Sequence, residues 1–296
     1  MLIKRKLFEY RVLAPVLAVV SALILLQLNC GDANAGGGAS PWSSGAHHKV
    51  RLISGVYKSP SGREQILVGV HIKLEKGWKT YWRFPGDSGV PPQFDWQDSN
   101  NLKDSKILWP APQRFKDPYS TTIGYKDEIV FPVAVSPRSA GQPIDLNVKL
   151  EFGVCQDICI FAVANLDLSV SEDDARQSIY NILLNRFVSK VPEVIHPTAS
   201  STHSIRSVSA VLDGDKPHII VEARYPEDAR KRDLFIEGPN DFYIPIPSLT
   251  KQISTNLDEY RVDLKGGDDP KLLNGKVLTF TMVSTDGQVE IKRQLN

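Results

Sequence analysis

Cys155 and Cys159 are the residues in this sequence best able to do chemistry, four apart in Glu151-Phe152-Gly153-Val154-Cys155-Gln156-Asp157-Ile158-Cys159-Ile160-Phe161. Two thiols can be cross-linked, can exchange with another disulfide, or can hold a soft metal ion. On a continuous strand residues four apart lie about 13 Å apart at ~3.3 Å per residue, beyond the roughly 7 Å between Cα atoms that a disulfide can bridge. The chain must therefore turn between them. A tight hairpin loop over residues 156–158 sets the two sulfurs face to face across its mouth. A helical turn would also join them, but Val154, Ile158, Ile160 and Phe161 favour strand. As a staple such a bridge is weak: closing about five residues restricts the unfolded chain by roughly 2 kcal/mol, against about 4.7 for a 100-residue loop. That favours a reversible redox pair over a plain clamp. Copper(I) on the two thiolates is a further alternative. Copper carriers often add Met or His ligands, and beyond the first 35 residues the only methionine is Met282. A zinc site needs about four ligands, and no His or further Cys lies near the pair in sequence.

The elements that must position this pair begin after a targeting segment. Lys4, Arg5, Lys6 and Arg11, an apolar run from Val12 to Leu28, and Ala33-Asn34-Ala35 before Gly36 read as a cleavable secretory signal over residues 1–35. Cys30 leaves with it, because Gln27 and Asn29 do not suit a lipidation signal. A retained anchor helix is the rival reading, at the lower edge of the spanning length. Cys155 and Cys159 then stand alone, an even pair in a compartment that permits disulfides. The Gly, Ala and Ser of residues 36–49 read as a flexible leader that includes His47-His48, and the fold is expected to begin near Val50.

Strands are expected over 63–74, where Ile66, Val68, Val70 and Ile72 share a face, and over 129–135, 144–152 and 160–170. One helix is expected over 172–190, capped by Ser171 with Asp174 three residues on, with Ile179, Ile182, Leu183 and Phe187 on its apolar face. Strands resume at 204–212, 217–225, 234–236, 259–264, 277–284 and 290–293, with Asp213-Gly214 and Asp286-Gly287 as turn signals. The expected fold is all-β: two immunoglobulin-like β-sandwiches, over 50–171 and 199–296, joined by a helix and linker over 172–198.

Further motifs along the chain carry a family likeness. Gly77-Trp78-Lys79-Thr80-Tyr81-Trp82-Arg83-Phe84-Pro85-Gly86-Asp87-Ser88-Gly89, Phe94-Asp95-Trp96, Trp109-Pro110-Ala111-Pro112-Gln113-Arg114-Phe115, Gly124-Tyr125 and Phe131-Pro132, followed by the cysteine stretch, resemble the amino-terminal periplasmic domain of the DsbD/ScsB thiol:disulfide interchange proteins. The resemblance covers residues 50–170 closely. It implies an immunoglobulin-like redox domain in which Cys155 and Cys159 form the exchanging disulfide and act as a protein-disulfide reductase. It also implies a loop over 114–125 capping the pair, with Phe115 or Tyr119 as the shielding aromatic. Its partners would be periplasmic thioredoxin-like proteins and, since this sequence lacks the family's membrane-spanning part, a separate membrane electron donor. No cofactor is implied. Members of the family usually carry Pro two positions after the second cysteine, where this chain has Phe161.

Composition narrows the alternatives. Thirty-five Lys and Arg against 34 Asp and Glu give a formal charge of +1, and removal of the four basic and two acidic residues of the signal leaves 31 against 32. No summed field draws such a chain to nucleic acid or an anionic membrane. Beyond the signal no apolar run is long enough to span a bilayer, so no stable membrane insertion is expected. Hydrolase motifs are missing, and Gly86-Asp87-Ser88-Gly89 reads as a turn rather than a serine nucleophile segment. Two other functions stay open: a non-catalytic interaction module whose disulfide is structural, and a Cu(I)-binding protein of copper tolerance.

Overall fold

The computed structural model describes residues 38–59, 62–117, 120–196, 201–239 and 242–295. The expected signal peptide lies outside the described residues. Among the described residues no helix is long and apolar enough to cross a membrane.

The fold is all-β, with two immunoglobulin-like sandwiches. In the first, a five-stranded sheet runs in the order Ser43–Gly45, His48–Lys58, Glu64–Leu74, Glu128–Pro137, Leu102–Ile107. The facing sheet runs Cys159–Val170, Ile144–Cys155, Lys79–Gly86, Thr121–Lys126, Gln113–Lys116, and Gln93–Asp95 also pairs with Ile144–Cys155. Every one of these pairings is antiparallel. Alternation is clean in Ile144–Cys155, where Ile144, Leu146, Val148 and Leu150 face inward and Asp145, Asn147 and Lys149 face solvent. Glu64–Leu74 is instead buried on both faces from Ile66 to Ile72, because helices lie against the outside of its sheet.

Those helices differ from the single one expected. Glu172–Gln177 starts at a capping box, with the Ser171 hydroxyl accepting from Asp174 N and the Asp174 carboxylate accepting from Ser171 N. The chain then becomes extended at Ser178, and a second helix, Asn181–Val188, begins. The break turns the apolar stripe: Ala175, Leu184 and Phe187 are buried, whereas Ile179 and Ile182 point to solvent. Asn181 ties this segment to the sheet, its side-chain oxygen accepting from Val56 N at 2.8 Å.

The segment read as a leader is packed from Gly38 onward. Ser40 N donates to Leu52 O and Leu52 N to Ser40 Oγ, both at 2.9 Å, and Ser43–Gly45 pairs with the start of His48–Lys58. These bonds run through backbone groups and the Ser40 hydroxyl, which a small-residue composition does not reveal. His47 and His48 are part of this turn: His47 stacks on Trp78, with ring centroids 3.9 Å apart, and bonds Glu75 at 2.7 Å.

The second sandwich pairs the sheet Glu193–Val194, Gly287–Gln294, Val277–Ser284, Asp233–Glu237 with the sheet Ser204–Val211, His218–Arg224, Leu257–Asp263, Ser248–Gln252. It has its own core around Ile219, Val221, Leu234, Phe280 and Met282. Phe235, on the same strand as Leu234, turns the other way and joins the core of the first sandwich, 5.7 Å from Trp82 between ring centroids. The joint is thus apolar at its centre, and ion pairs ring it: Arg83 meets Glu237 and Glu290 at 2.7 Å each, and Arg114 meets Asp233 at 2.6 Å.

Candidate functional site

The long hairpin formed by Ile144–Cys155 and Cys159–Val170 is in register along its whole length, ending with Cys155 opposite Cys159. Gln156, Asp157 and Ile158 make the three-residue loop, closed by Gln156 N to Ile158 O at 3.0 Å. This brings the Cα atoms of the cysteines to 4.2 Å, and the sulfurs are joined. The two sulfurs are not equivalent. Cys155 is 1 % exposed, because its strand continues inward to Lys79–Gly86, where Lys79 lies opposite it. Cys159 begins the edge strand and is exposed. Attack from outside therefore reaches Cys159 first.

Tyr81, one residue of a motif quoted for its family likeness and not singled out as functional, stands over the bridge. Its phenolic oxygen is 2.8 Å from Cys155 Sγ, to which it donates, and 3.4 Å from Cys159 Sγ. Burial, with the Asp117 carboxylate as a lesser cause, pushes its pKa above the ordinary phenol value, so the proton stays on oxygen at neutral pH. The ring occupies a slot bounded by glycines: a Cβ on Gly153 would come within 2.8 Å of it and one on Gly89 within 2.2 Å. The sequence signal for this role is slight. Lys79, Tyr81 and Arg83 alternate with Trp78, Thr80 and Trp82, which marks a strand, but the partner of Tyr81 is 74 residues away.

The expected cap is a hairpin, Gln113–Lys116 paired with Thr121–Lys126. Phe115 is half-buried opposite Thr122, with Lys79 Nζ 5.8 Å from its ring centroid. Tyr119, the other expected shielding aromatic, lies outside the described residues. Asp117 lies 4.0 Å from Lys79 Nζ and accepts from Ser120 N at 2.8 Å. Thr121–Lys126 pairs directly with Lys79–Gly86, placing Gly124 opposite Tyr81. The sheet order therefore places the strand of Tyr81 between the cysteine hairpin and this second hairpin.

On the solvent side of the cysteines lies an apolar patch: Ile158 is 66 % exposed, Phe161 58 % and Val163 48 %. Phe161 is the residue at which the chain departs from the family pattern, and the antiparallel register carries straight through it, opposite Gly153. Among the described residues no group of three or more His, Cys, Asp or Glu is placed to hold a metal ion. Gly86 to Gly89 form a turn in which Asp87 N donates to Thr121 O and the Asp87 carboxylate accepts from Thr121 N.

Comparison with known proteins locates this arrangement. Residues 56–170 match the family model of the thiol:disulfide interchange protein DsbD, N-terminal. Among solved structures the chain is similar to the N-terminal periplasmic domain of ScsB from Proteus mirabilis, at 24% identity and a TM-score of 0.67, over 88% of this chain and 99% of that one. That likeness is one of fold and extends over both sandwiches. No curated protein matches the chain.

Proposed function

From the premise that residues 56–170 form a DsbD-type N-terminal domain, we propose that this chain is a periplasmic thiol-disulfide interchange protein. It passes electrons through Cys155 and Cys159 to or from thioredoxin-like partners. The observation that carries this reading is the asymmetry of the bridge, with one sulfur open to attack and the other buried under a hydroxyl donor.

In the reductive half-reaction a partner thiolate attacks Cys159 Sγ, the intramolecular S–S bond breaks, and a mixed disulfide forms while Cys155 departs as a thiolate. Tyr81 donates its hydrogen bond to the negative charge that develops on Cys155 and so favours this departure, a stabilisation of about 1.5–3 kcal/mol for a bond to a charged group. A second partner thiolate then resolves the mixed disulfide. The partner leaves oxidised, and this chain holds two thiols. The return reaction runs in reverse: the Cys159 thiolate attacks an oxidised partner, and Cys155 closes the bridge again. Each cycle moves two electrons and two protons.

The apolar patch of Ile158, Phe161 and Val163 supplies a surface for the partner beside the attacked sulfur. Targeting through the amino-terminal signal and electron supply by a separate membrane protein complete the reading. The test is to mix the reduced chain with an oxidised thioredoxin-like protein and to follow both by thiol alkylation and mass. Transfer of two alkylatable thiols from one to the other is expected. A bridge that neither gives nor takes electrons would leave a structural clamp in an interaction module.

A further inference from the structure

The turn Gly86-Asp87-Ser88-Gly89 has no part in the exchange described above, yet it covers the ring that serves it. Neighbouring residues on a strand point to opposite faces. Trp78 and Trp82 point into the core of the first sandwich, so Tyr81 points away from it and belongs to neither core. It is nonetheless only 2 % exposed. The cover comes from its own strand: the register with Thr121–Lys126 is broken after Tyr81 and resumes at Gly86, opposite Thr122, and the chain then folds back across Tyr81. Gly89, at a φ of +135°, lies against the ring so closely that a Cβ there would come within 2.2 Å of it.

This cover is pinned on both sides of Gly89. On one side Gly153 N, two residues before Cys155, donates to Val90 O at 3.1 Å, while Gly153 O accepts from Thr80 Oγ1 at 2.8 Å. On the other side Asp87 N donates to Thr121 O at 3.0 Å, and the Asp87 carboxylate accepts from Thr121 N at 2.8 Å and from the Tyr243 hydroxyl, of the second sandwich, at 3.3 Å. Gly86 is closed in as well: a Cβ on it would meet Thr121 O at 2.7 Å and Ile246 Cδ1 at 2.8 Å. Asp87 is exposed and is the one side chain of the turn that ties it to both sandwiches.

An uncovered hydroxyl would find water as its partner. Under the turn it has the two sulfurs, at 2.8 and 3.4 Å, and a donor held in a dry site before charge develops stabilises that charge more than one that must first reorient. We infer that Asp87 is a positioning residue for the exchange. By pinning the turn it keeps the Tyr81 ring covered and its hydroxyl on Cys155 Sγ, the sulfur that leaves with the bonding electron pair when a thiolate attacks Cys159 Sγ. The role of Asp87 rests on the exchange reading for its purpose, while bridge opening itself is measurable with a small thiol.

The experiment is a double-mutant cycle on the full chain, read as the rate at which dithiothreitol opens the bridge. Asp87→Ala is expected to slow opening about three- to tenfold, part of the loss that Tyr81→Phe causes, and to have no further effect once Tyr81 is replaced by Phe. Asp87→Asn keeps an acceptor for Thr121 N and is expected to recover most of the rate. If Asp87→Ala does not fold, Tyr243→Phe removes one bond of the same anchor and decides the matter, with a slowing of about twofold that again vanishes beside Tyr81→Phe. Opening at or above the wild-type rate, or an equal slowing in the Tyr81→Phe background, would overturn the role of Asp87. Exchange of the wild-type chain with a thioredoxin-like protein is measured separately: its failure would remove the proposed function and leave the dithiothreitol cycle intact.

Discussion

The hydroxyl of Tyr81 and the buried sulfur of Cys155 lie 2.8 Å apart, with the hydroxyl as donor. Removing that donor alone, by Tyr81→Phe, keeps the ring in its glycine-walled slot and the bridge intact. The expected result is a loss of about 10- to 100-fold in the rate of bridge opening by thiols, from a bond worth ~1.5–3 kcal/mol to a developing thiolate. Stopped-flow reduction measures it. A rate within twofold of wild type would show that the hydroxyl does not assist the leaving sulfur.

Gly153→Ala attacks the same relationship from the other side. The new methyl would sit 2.8 Å from the Tyr81 ring, so the ring must shift and the hydroxyl must move with it. Slower bridge opening, accompanied by a destabilisation of about 1–3 kcal/mol from overpacking, is expected in urea titrations. Unchanged stability would mean that the slot is looser than the fold implies.

The asymmetry of exposure predicts which cysteine forms intermolecular bonds. Cys155→Ser leaves the exposed Cys159 and should accumulate mixed disulfides with thioredoxin-like proteins. Cys159→Ser leaves only a buried thiol and should accumulate almost none. Non-reducing electrophoresis with mass identification of the bonded cysteine separates the two. Equal trapping by both variants would contradict the assignment of Cys159 as the attacked sulfur.

Much of this fold was legible in the sequence, and the reasons it was not fully so are local. The strands around 144–155 and 159–170 show because apolar and polar residues alternate along most of their length, the one around 64–74 because Ile66, Val68, Val70 and Ile72 share a face, and the cysteine loop because four residues cannot be bridged without a turn. The helix over 172–190 read as one piece because Ile179 and Ile182 fit its period. The extended backbone at Ser178 interrupts that period and leaves both isoleucines in solvent. Residues 38–49 looked featureless because their attachment is made by backbone groups, by Ser40 and by the rings of Trp42 and His47 meeting distant partners, not by an alternating apolar pattern. Tyr81, Arg114 and Asp233 gain their meaning from partners 74 and 119 residues away, a relation that no spacing within a motif carries.

An apolar side chain beside the attacked sulfur should matter to a protein partner and not to a small thiol. Phe161→Ala is therefore expected to weaken the partner reaction about tenfold through its KM, in line with the loss of one aromatic contact at an interface. Its reduction by dithiothreitol should stay at the wild-type rate. Equal loss with both reductants would place Phe161 in the fold rather than at the docking surface.

Acid should destabilise the first sandwich through His71. The ring is 1 % exposed and wedged between Arg51, Trp42 and Glu128. Arg51 Nε donates to Nδ1, which fixes the neutral ring with its proton on Nε2, shared with Glu128 at 2.9 Å. Burial lowers its pKa to about 4, against the raising effect of Glu128 and with further lowering by Arg51 and Lys73. The unfolded chain takes up a proton near pH 6.5 and the folded chain does not until about 4, so stability falls as pH drops through that window, by up to about 3 kcal/mol. Urea titrations at pH 7 and pH 4.5 measure the drop, and His71→Gln should flatten it. An equal drop in that variant would assign the acid sensitivity to other groups.

The most direct test of the central claim is the reduction potential of the Cys155–Cys159 couple, taken by equilibration with glutathione followed by alkylation and mass shift. A relay must sit where thioredoxin-like proteins can both oxidise and reduce it, and the predicted value lies within roughly −180 to −270 mV. A value below about −300 mV would mark a structural bridge that such partners cannot open, and would contradict the account.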